Sequence, residues 1–223
     1  MTRSQLKRAR APEHKTERRA AILRAAEALL RRDPAATFAV GEIARRAGLA
    51  KGTMYLYFGS REELLLAVHD TQMDEMFGAL ERALARPKAG ADAAARAVLG
   101  FLRHRPEFFR LSTSCHGALE DSVSASVARD HREAVASRLV ALGRRIEILH
   151  PGMRPGEGAT LLKNSYALML GLWQLAASPL RVTASAPGQQ EPEALRIDFE
   201  SQLAVALKDL WNAAVRRGEG RLA

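Results

Sequence analysis

Apolar residues recur along this chain at the spacing of helices, not of strands. Ile22, Ala25, Ala26, Leu29 and Leu30 form one stripe, and Val40, Ile43, Ala44 and Ala47, at i, i+3, i+4 and i+7, form another. The first predicts a helix over residues 15–32, ended by Asp33-Pro34 because the residue before a proline is pushed out of the helical region. The second predicts a short helix closed by Gly48, where a residue tolerant of positive φ is favoured. Residues 51–58 predict a third helix, with Met54 and Phe58 facing inward and Lys51, Thr53, Tyr55 and Tyr57 left for the outer side. Tyr55 and Tyr57 point roughly 200° apart on a helix, so both cannot face one core. Ser60 with Glu63 three residues on is a capping box, which starts a fourth helix at Arg61.

That fourth helix is predicted to run to about residue 85. Its Leu64, Leu65 and Val68 suit packing under the first helix, and Met73, Met76, Phe77 and Leu80 suit a second domain. Phe38 is placed to plug the three-helix core. Further helices are predicted over about residues 91–104, 106–112, 122–149, 156–177 and 193–216, with a long loop from Pro179 to Pro192. No strand-like alternation and no internal repeat appear. The expectation is an all-α chain: a basic arm over residues 1–13, a helix-turn-helix domain over 14–66, and a C-terminal helical domain over 67–223, joined by the long fourth helix.

Charge sharpens this picture because it is unevenly placed. Up to residue 66 there are 14 Lys and Arg against 7 Asp and Glu, a net +7 of the chain's +9. The basic excess therefore lies on the segment that carries two short helices and a glycine turn, as expected of a nucleic-acid-binding face. Arg3, Lys7, Arg8 and Arg10 precede the first stripe. They read equally as a soluble tail or as an arm that follows phosphates or enters a minor groove, and the two readings are compatible. A helix-turn-helix sets its second helix in the major groove. Lys51 on that helix can read a guanine edge or neutralise a phosphate, Thr53 shares its exposed side, Gly52 permits close backbone approach, and Gly41 is a further DNA-binding candidate.

Candidate catalytic chemistry is thin. The six histidines show no i, i+4 pair and no grouping with carboxylates at ligand spacing, so neither a metal nor a catalytic role is expected, and no cofactor. The single cysteine, Cys115, rules out an intrachain disulfide and fits a reducing compartment. Adjacent Cys115 and His116 do not make a nucleophile–base pair by spacing. Cys115 reads first as a buried small hydrophobe and second, with His116, His104, Phe101 and Phe108, as a ligand contact. No apolar stretch follows the opening basic residues and no run is long enough for a membrane span, so a cytoplasmic protein without a membrane partner is expected.

The motifs also carry a likeness. Ile43-Ala44-x-x-Ala47-Gly48, Gly52-Thr53-x-Tyr55-x-Tyr57-Phe58 and Ser60-Arg61-Glu62-x-Leu64 closely resemble the DNA-binding domain of TetR-type bacterial transcriptional regulators, over residues 14–68. Two positions depart from that pattern: Ala39 and Ala50 stand where Ser or Thr commonly cap the second and third helices, at a cost of about 1 kcal/mol each. The resemblance implies phosphate contacts by Tyr55, Tyr57 and Arg61, and a homodimer on double-stranded operator DNA. It also implies a small-molecule effector in the C-terminal domain, reached by residues such as Met169 and Trp173. The last two helices are implied to form the dimer interface, through Leu161, Leu168, Leu172, Phe199, Leu203, Leu207, Leu210 and Trp211; the alternative is that both stripes bury against their own domain, and two wide stripes favour some of that surface meeting a partner. The expected function is a repressor released by its ligand. The alternatives are a ligand-independent or architectural DNA-binding protein and, less well supported, an enzyme.

Overall fold

The computed structural model describes residues 3–32, 39–86, 89–114, 121–177, 193 and 196–220, with side chains from Lys15 onward. The helices are α1 (Arg3–Arg32), α2 (Val40–Arg46), α3 (Lys51–Met54), α4 (Arg61–Leu84), α5 (Ala91–His104), α6 (Phe108–Ser114), α7 (Ala125–Leu149), α8 (Glu157–Ala176) and α9 (Phe199–Glu219). There is no strand among the described residues, so the all-α expectation holds. Phe38, Cys115, His116 and the Pro179–Pro192 loop lie outside the described residues.

Two helix starts differ most from the sequence reading. Helix α1 starts at Arg3 and not near Lys15, so the backbone at Arg8 and Arg10 is helical and continuous with the rest of α1. Gln, Leu, Lys, Arg and Ala there are good helix formers and keep the ladder going although Pro12 removes one donor. Helix α9 starts at Phe199 and not near residue 193, because Asp198 caps it: its carboxylate accepts from the Ser201 N–H at 3.3 Å and the Ser201 hydroxyl at 2.6 Å.

The chain folds as two compact units, one made of residues up to Gln72 with Arg105–Arg129, the other of Met73–His104 with Asp130 onward. Cutting the chain at a single point does not anticipate the return of residues 105–129 to the first unit. In that unit, Ile22, Leu29, Ile43, Ala44, Met54, Phe58, Leu64, Leu65 and Val68 form one core that also takes in Leu111. The expected inward faces of the first four helices are the observed ones.

In the second unit α9 packs on both α5 and α8. Leu203, Leu207, Trp211, Ala214 and Gly218 form its buried face, and Ala94, Ala95, Val98, Phe101 and Leu102 that of α5. Burying each such leucine contributes about 1.5–3 kcal/mol. The Trp211 indole N–H donates to the Ser165 hydroxyl on α8 at 3.0 Å, so its polar atom is satisfied. Glu147, near the end of α7, accepts the N–H groups of Gly156 and Gly158 at 2.8 and 2.9 Å and so caps α8. Met73, Met76, Phe77 and Leu80, on the later turns of α4, are buried in this unit.

Candidate nucleic-acid interface

The connection from α2 to α3 is built on Gly48, whose φ is +69°. The Gly48 N–H donates to the Arg45 carbonyl at 3.2 Å and the Leu49 N–H to the Ala44 carbonyl at 2.9 Å, a Schellman closure that only a residue at ease in the left-handed region completes without strain. Leu49 then packs against the core, which sets the angle at which α3 departs. Neither Ala39 nor Ala50 makes a side-chain cap, in line with the departure seen in the sequence.

Helix α3 is shorter than the expected 51–58. After Met54 the chain tightens: the Leu56 N–H donates to Thr53 at 3.2 Å and the Tyr57 N–H to Met54 at 2.9 Å, both i to i+3. An uncapped helix of four residues has too few ladder bonds to propagate. The winding sense survives, so Met54 and Phe58 still point into the core, and Arg19 of α1 sits 4.9 Å over the Phe58 ring.

The outer surface carries most of the residues singled out from sequence. Lys51 and Gly52 are exposed, Thr53 is half-buried, and Tyr55 is 49% exposed. Gly41, half-buried on α2, faces the Lys51 stem: a methyl built on it would stand 3.9 Å from Lys51 Cδ. Tyr57 differs from expectation, being half-buried against the core with part of its ring accessible. Arg61 opens α4 half-buried, 3.5 Å from Glu62. At that corner the Glu63 N–H donates to the Ser60 hydroxyl at 3.0 Å, and the Glu63 carboxylate accepts from the Gly59 N–H at 2.7 Å, closing the capping box one residue earlier than its usual form. The side chains of Arg8 and Arg10 lie outside the described residues.

Three exposed residues of α2 and the turn after α3 escaped the sequence reading. Arg45 and Arg46 end α2, and Leu56 between the two tyrosines is 74% exposed. The arginines were legible as the polar side of the α2 stripe. Leu56 was not, because an apolar residue in a short apolar-rich segment reads first as core.

The remaining candidates fall as follows. Phe108 is buried in the first unit, stacked on His69 with centroids 5.8 Å apart and edge-on to Phe109. In the second unit Phe101 and Met169 are buried, Trp173 is half-buried, and His104 is exposed with its Nδ1 2.7 Å from the Gly100 carbonyl oxygen. Of the expected dimer contacts, Leu161, Leu203, Leu207 and Trp211 are buried within their own unit and have no surface to offer a partner. Their stripe was long enough to serve either purpose, and intrachain packing on α5 and α8 took it. Leu168, Leu172, Phe199 and Leu210 stay partly accessible, and Leu175 and Val205 on the same two helices are exposed.

Comparison with known proteins bears on both units. Residues 22–68 match the family model described as bacterial regulatory proteins, tetR family, and residues 70–214 match the tetracyclin repressor-like C-terminal domain. The uncharacterized HTH-type transcriptional regulator YfiR of Bacillus subtilis is 33% identical over 70 residues, covering 31% of this chain and 34% of that protein. The HTH-type transcriptional regulator EthR of Mycobacterium tuberculosis is 37% identical over 71 residues, covering 32% and 33%. These alignments span about a third of each relative's length. Among solved structures, a TetR family transcription regulator from Marinobacter aquaeolei superposes with a TM-score of 0.53 at 22% identity, covering 91% of this chain and 97% of that one. The TetR family regulator PfmR of Thermus thermophilus gives 0.51 at 20%, covering 86% and 97%. These likenesses in structure show the fold. Among the described residues no helix is long and apolar enough to cross a membrane.

Proposed function

Because the chain belongs to the TetR family of bacterial regulatory proteins, we propose that it is a homodimeric transcriptional repressor that binds a near-palindromic operator and releases it when a small molecule occupies the C-terminal region. The observation that carries this reading is the division of α2, α3 and the following turn into two faces. Ile43, Ala44, Met54 and Phe58 are each at most 2% exposed, while Lys51, Gly52 and Tyr55 stand outward on the other side. A short rigid element with a buried back and a cationic, aromatic front fits a major groove.

In this reading Lys51, Gly52, Thr53 and Tyr55 lie near base edges, and Tyr55, Tyr57, Arg61 and the Arg8–Arg10 region contact phosphates. Gly41 leaves room beside Lys51. Leu56 cannot serve a phosphate but suits the methyl group of a thymine. The two half-sites lie about one helical turn, ~34 Å, apart. With about 8 phosphates neutralised per dimer, log K falls with log salt at a slope near −7. The dimer forms through the accessible parts of α8 and α9, namely Leu168, Leu172, Phe199 and Leu210 with Leu175 and Val205. Effector contacts are proposed at Phe101, His104, Met169 and Trp173 of the second unit. The ligand acts by binding the DNA-incompetent arrangement better than the competent one, and DNA then weakens ligand binding by the same factor.

The test is a gel shift with DNA from immediately upstream of the gene, at fixed salt and with random competitor, comparing wild type with Lys51→Ala and Tyr55→Ala. Both side chains are exposed enough to be removed without harming the core. Competitor-resistant binding that the substitutions weaken is the expected result. A preference over random DNA below about 10³ favours the architectural alternative and overturns the repressor reading.

A further inference from the structure

The first unit hides a polar cluster behind its reading face. Glu27 of α1, Gln72 of α4 and Glu107, just before α6, are 9%, 0% and 1% exposed. The Gln72 amide donates to Glu107 Oε1 at 3.0 Å, and Arg31 Nε stands 3.9 Å from the same oxygen. Glu27 Oε1, Gln72 Oε1 and Glu107 Oε2 are all buried without a hydrogen-bond partner. Three buried acceptors thus lack a donor: Gln72 and Glu107 are bonded to each other, and Glu27 lies near enough to feel the Glu107 charge. Buried acceptors left without a donor destabilise the fold that holds them. The deficit is of donors alone, and a proton on one acid supplies a donor without adding a heavy atom.

We propose that Glu27 and Glu107 are positioning residues for DNA binding, a carboxyl pair that takes up one proton between them and, with Gln72, seats α1 beneath the reading helices. The protonated acid donates to one of the orphaned oxygens, and the two acids then carry one negative charge facing Arg31. Helix α1 packs directly on α2, and Arg19 and Phe58 tie it to the turn after α3, so a loosened α1 removes the platform of the reading face. With both acids ionised, two like charges sit in one buried site. Burial is the largest effect on each acid and raises both above the ordinary carboxylate value. For Glu27, Arg31 and Arg24 oppose that rise and Glu107 adds to it; for Glu107, a hydrogen bond from its own backbone, then Arg31 and the Gln72 amide, oppose it. The other titratable or charged groups at hand are Arg105, two residues before Glu107, and His69, one turn before Gln72, whose ring stacks on Phe108 and whose Nε2 lies 3.2 Å from the Ser112 hydroxyl.

The sign follows from linkage. A carboxyl raised by folding stabilises the seated form at low pH, and that stabilisation is lost as pH rises through the raised value. The inference rests on the DNA-binding reading, and its test separates the two. Full-length wild type, Glu107→Gln and Glu27→Gln are titrated by fluorescence anisotropy against DNA selected from a random pool by the protein itself, at fixed salt from pH 5.5 to 8.5. Thermal melting of the free proteins is followed over the same range. Wild type is expected to bind roughly tenfold more weakly at the alkaline end, where the pair has lost its proton. Glu107→Gln, neutral at every pH, keeps its acid-side affinity throughout, and its melting profile flattens in parallel. Glutamine variants that retain the wild-type profiles overturn the proposal. Should Glu107→Gln not fold, Glu27→Gln carries the same test. Absence of specific DNA binding at every pH overturns the DNA-binding reading instead, and the melting profiles still decide whether the pair takes up the proton.

Discussion

Replacing Gly158 by alanine isolates a contact that no pattern in the sequence announces. Gly158 lies in the first turn of α8, where it meets the backbone of α7 at Gly143. A Cβ built on Gly158 collides with the Gly143 carbonyl oxygen and stands 2.7 Å from its carbon and 2.9 Å from Gly143 Cα. These are main-chain atoms and cannot rotate away, so the two helices must separate. Overpacking of this kind costs about 1–3 kcal/mol, and the upper end applies where backbone meets backbone. Separation also strains the bond from the Gly158 N–H to Glu147, worth about 1 kcal/mol. Against this, alanine is the better helix former by up to about 1 kcal/mol. The net is a loss of about 2–3 kcal/mol in the second unit.

Scanning calorimetry reads this as a fall in Tm of roughly 5–10 °C, given about 2–4 °C per kcal/mol for a chain of this size. Gly143→Ala should behave alike, since its Cβ meets Ala159 N at 2.5 Å and Cα at 2.9 Å. The double substitution should cost less than the sum, because one separation relieves both clashes. Gly100→Ala in α5 is the control: nothing lies within 4 Å of the added carbon, so it should be neutral or stabilising by up to about 1 kcal/mol. A Gly158→Ala protein that melts at or above wild type refutes the close-approach reasoning.

Other expectations follow from the same geometry. Glu147→Ala removes the acceptor of two N–H groups at the start of α8 and should lower stability by about 1–2 kcal/mol in denaturant unfolding, whereas a substitution at exposed Glu133 should not. Met54→Ala empties a site only 1% exposed and should cost about 2–5 kcal/mol, whereas Tyr55→Ala should leave melting unchanged and weaken DNA binding, which a paired melt and anisotropy titration would show. His150 is held below its ordinary value of 6.5 by burial, with Glu219 opposing. Its contribution is therefore present at neutral pH and lost as pH falls through the lowered value, and His150→Gln should flatten the acid side of the second unit's melting profile.

Much of the reading face was legible in the residues themselves, for local reasons. The α2 stripe, the glycine after it, the inward pair Met54 and Phe58, and the Ser60–Glu63 cap all act within a few residues of chain, and the structure keeps each of them. The uncapped starts at Ala39 and Ala50 were equally visible, and the short α3 shows their consequence. Tyr57 was the limit of this logic: a helical wheel assigns it outward, but the chain tightens after Met54 and half-buries it.

What lay beyond the sequence was decided by contacts between segments far apart in it. Apolar stripes on α8 and α9 say that something covers them. Only tertiary packing shows that Leu161, Leu203, Leu207 and Trp211 are covered within the chain and that Leu168, Leu172, Phe199 and Leu210 keep accessible surface. The return of residues 105–129 to the first unit brings Glu107 to Gln72 and Arg31. Residues 35 positions apart have no periodicity to betray such a cluster. The same holds for Gly143 and Gly158, whose missing side chains carry meaning only once two helices are known to touch there. Local rules thus set which residues fold into helices and which way each helix faces. Which buried groups share a site, and how much of each face remains for a partner, was settled by packing across the chain.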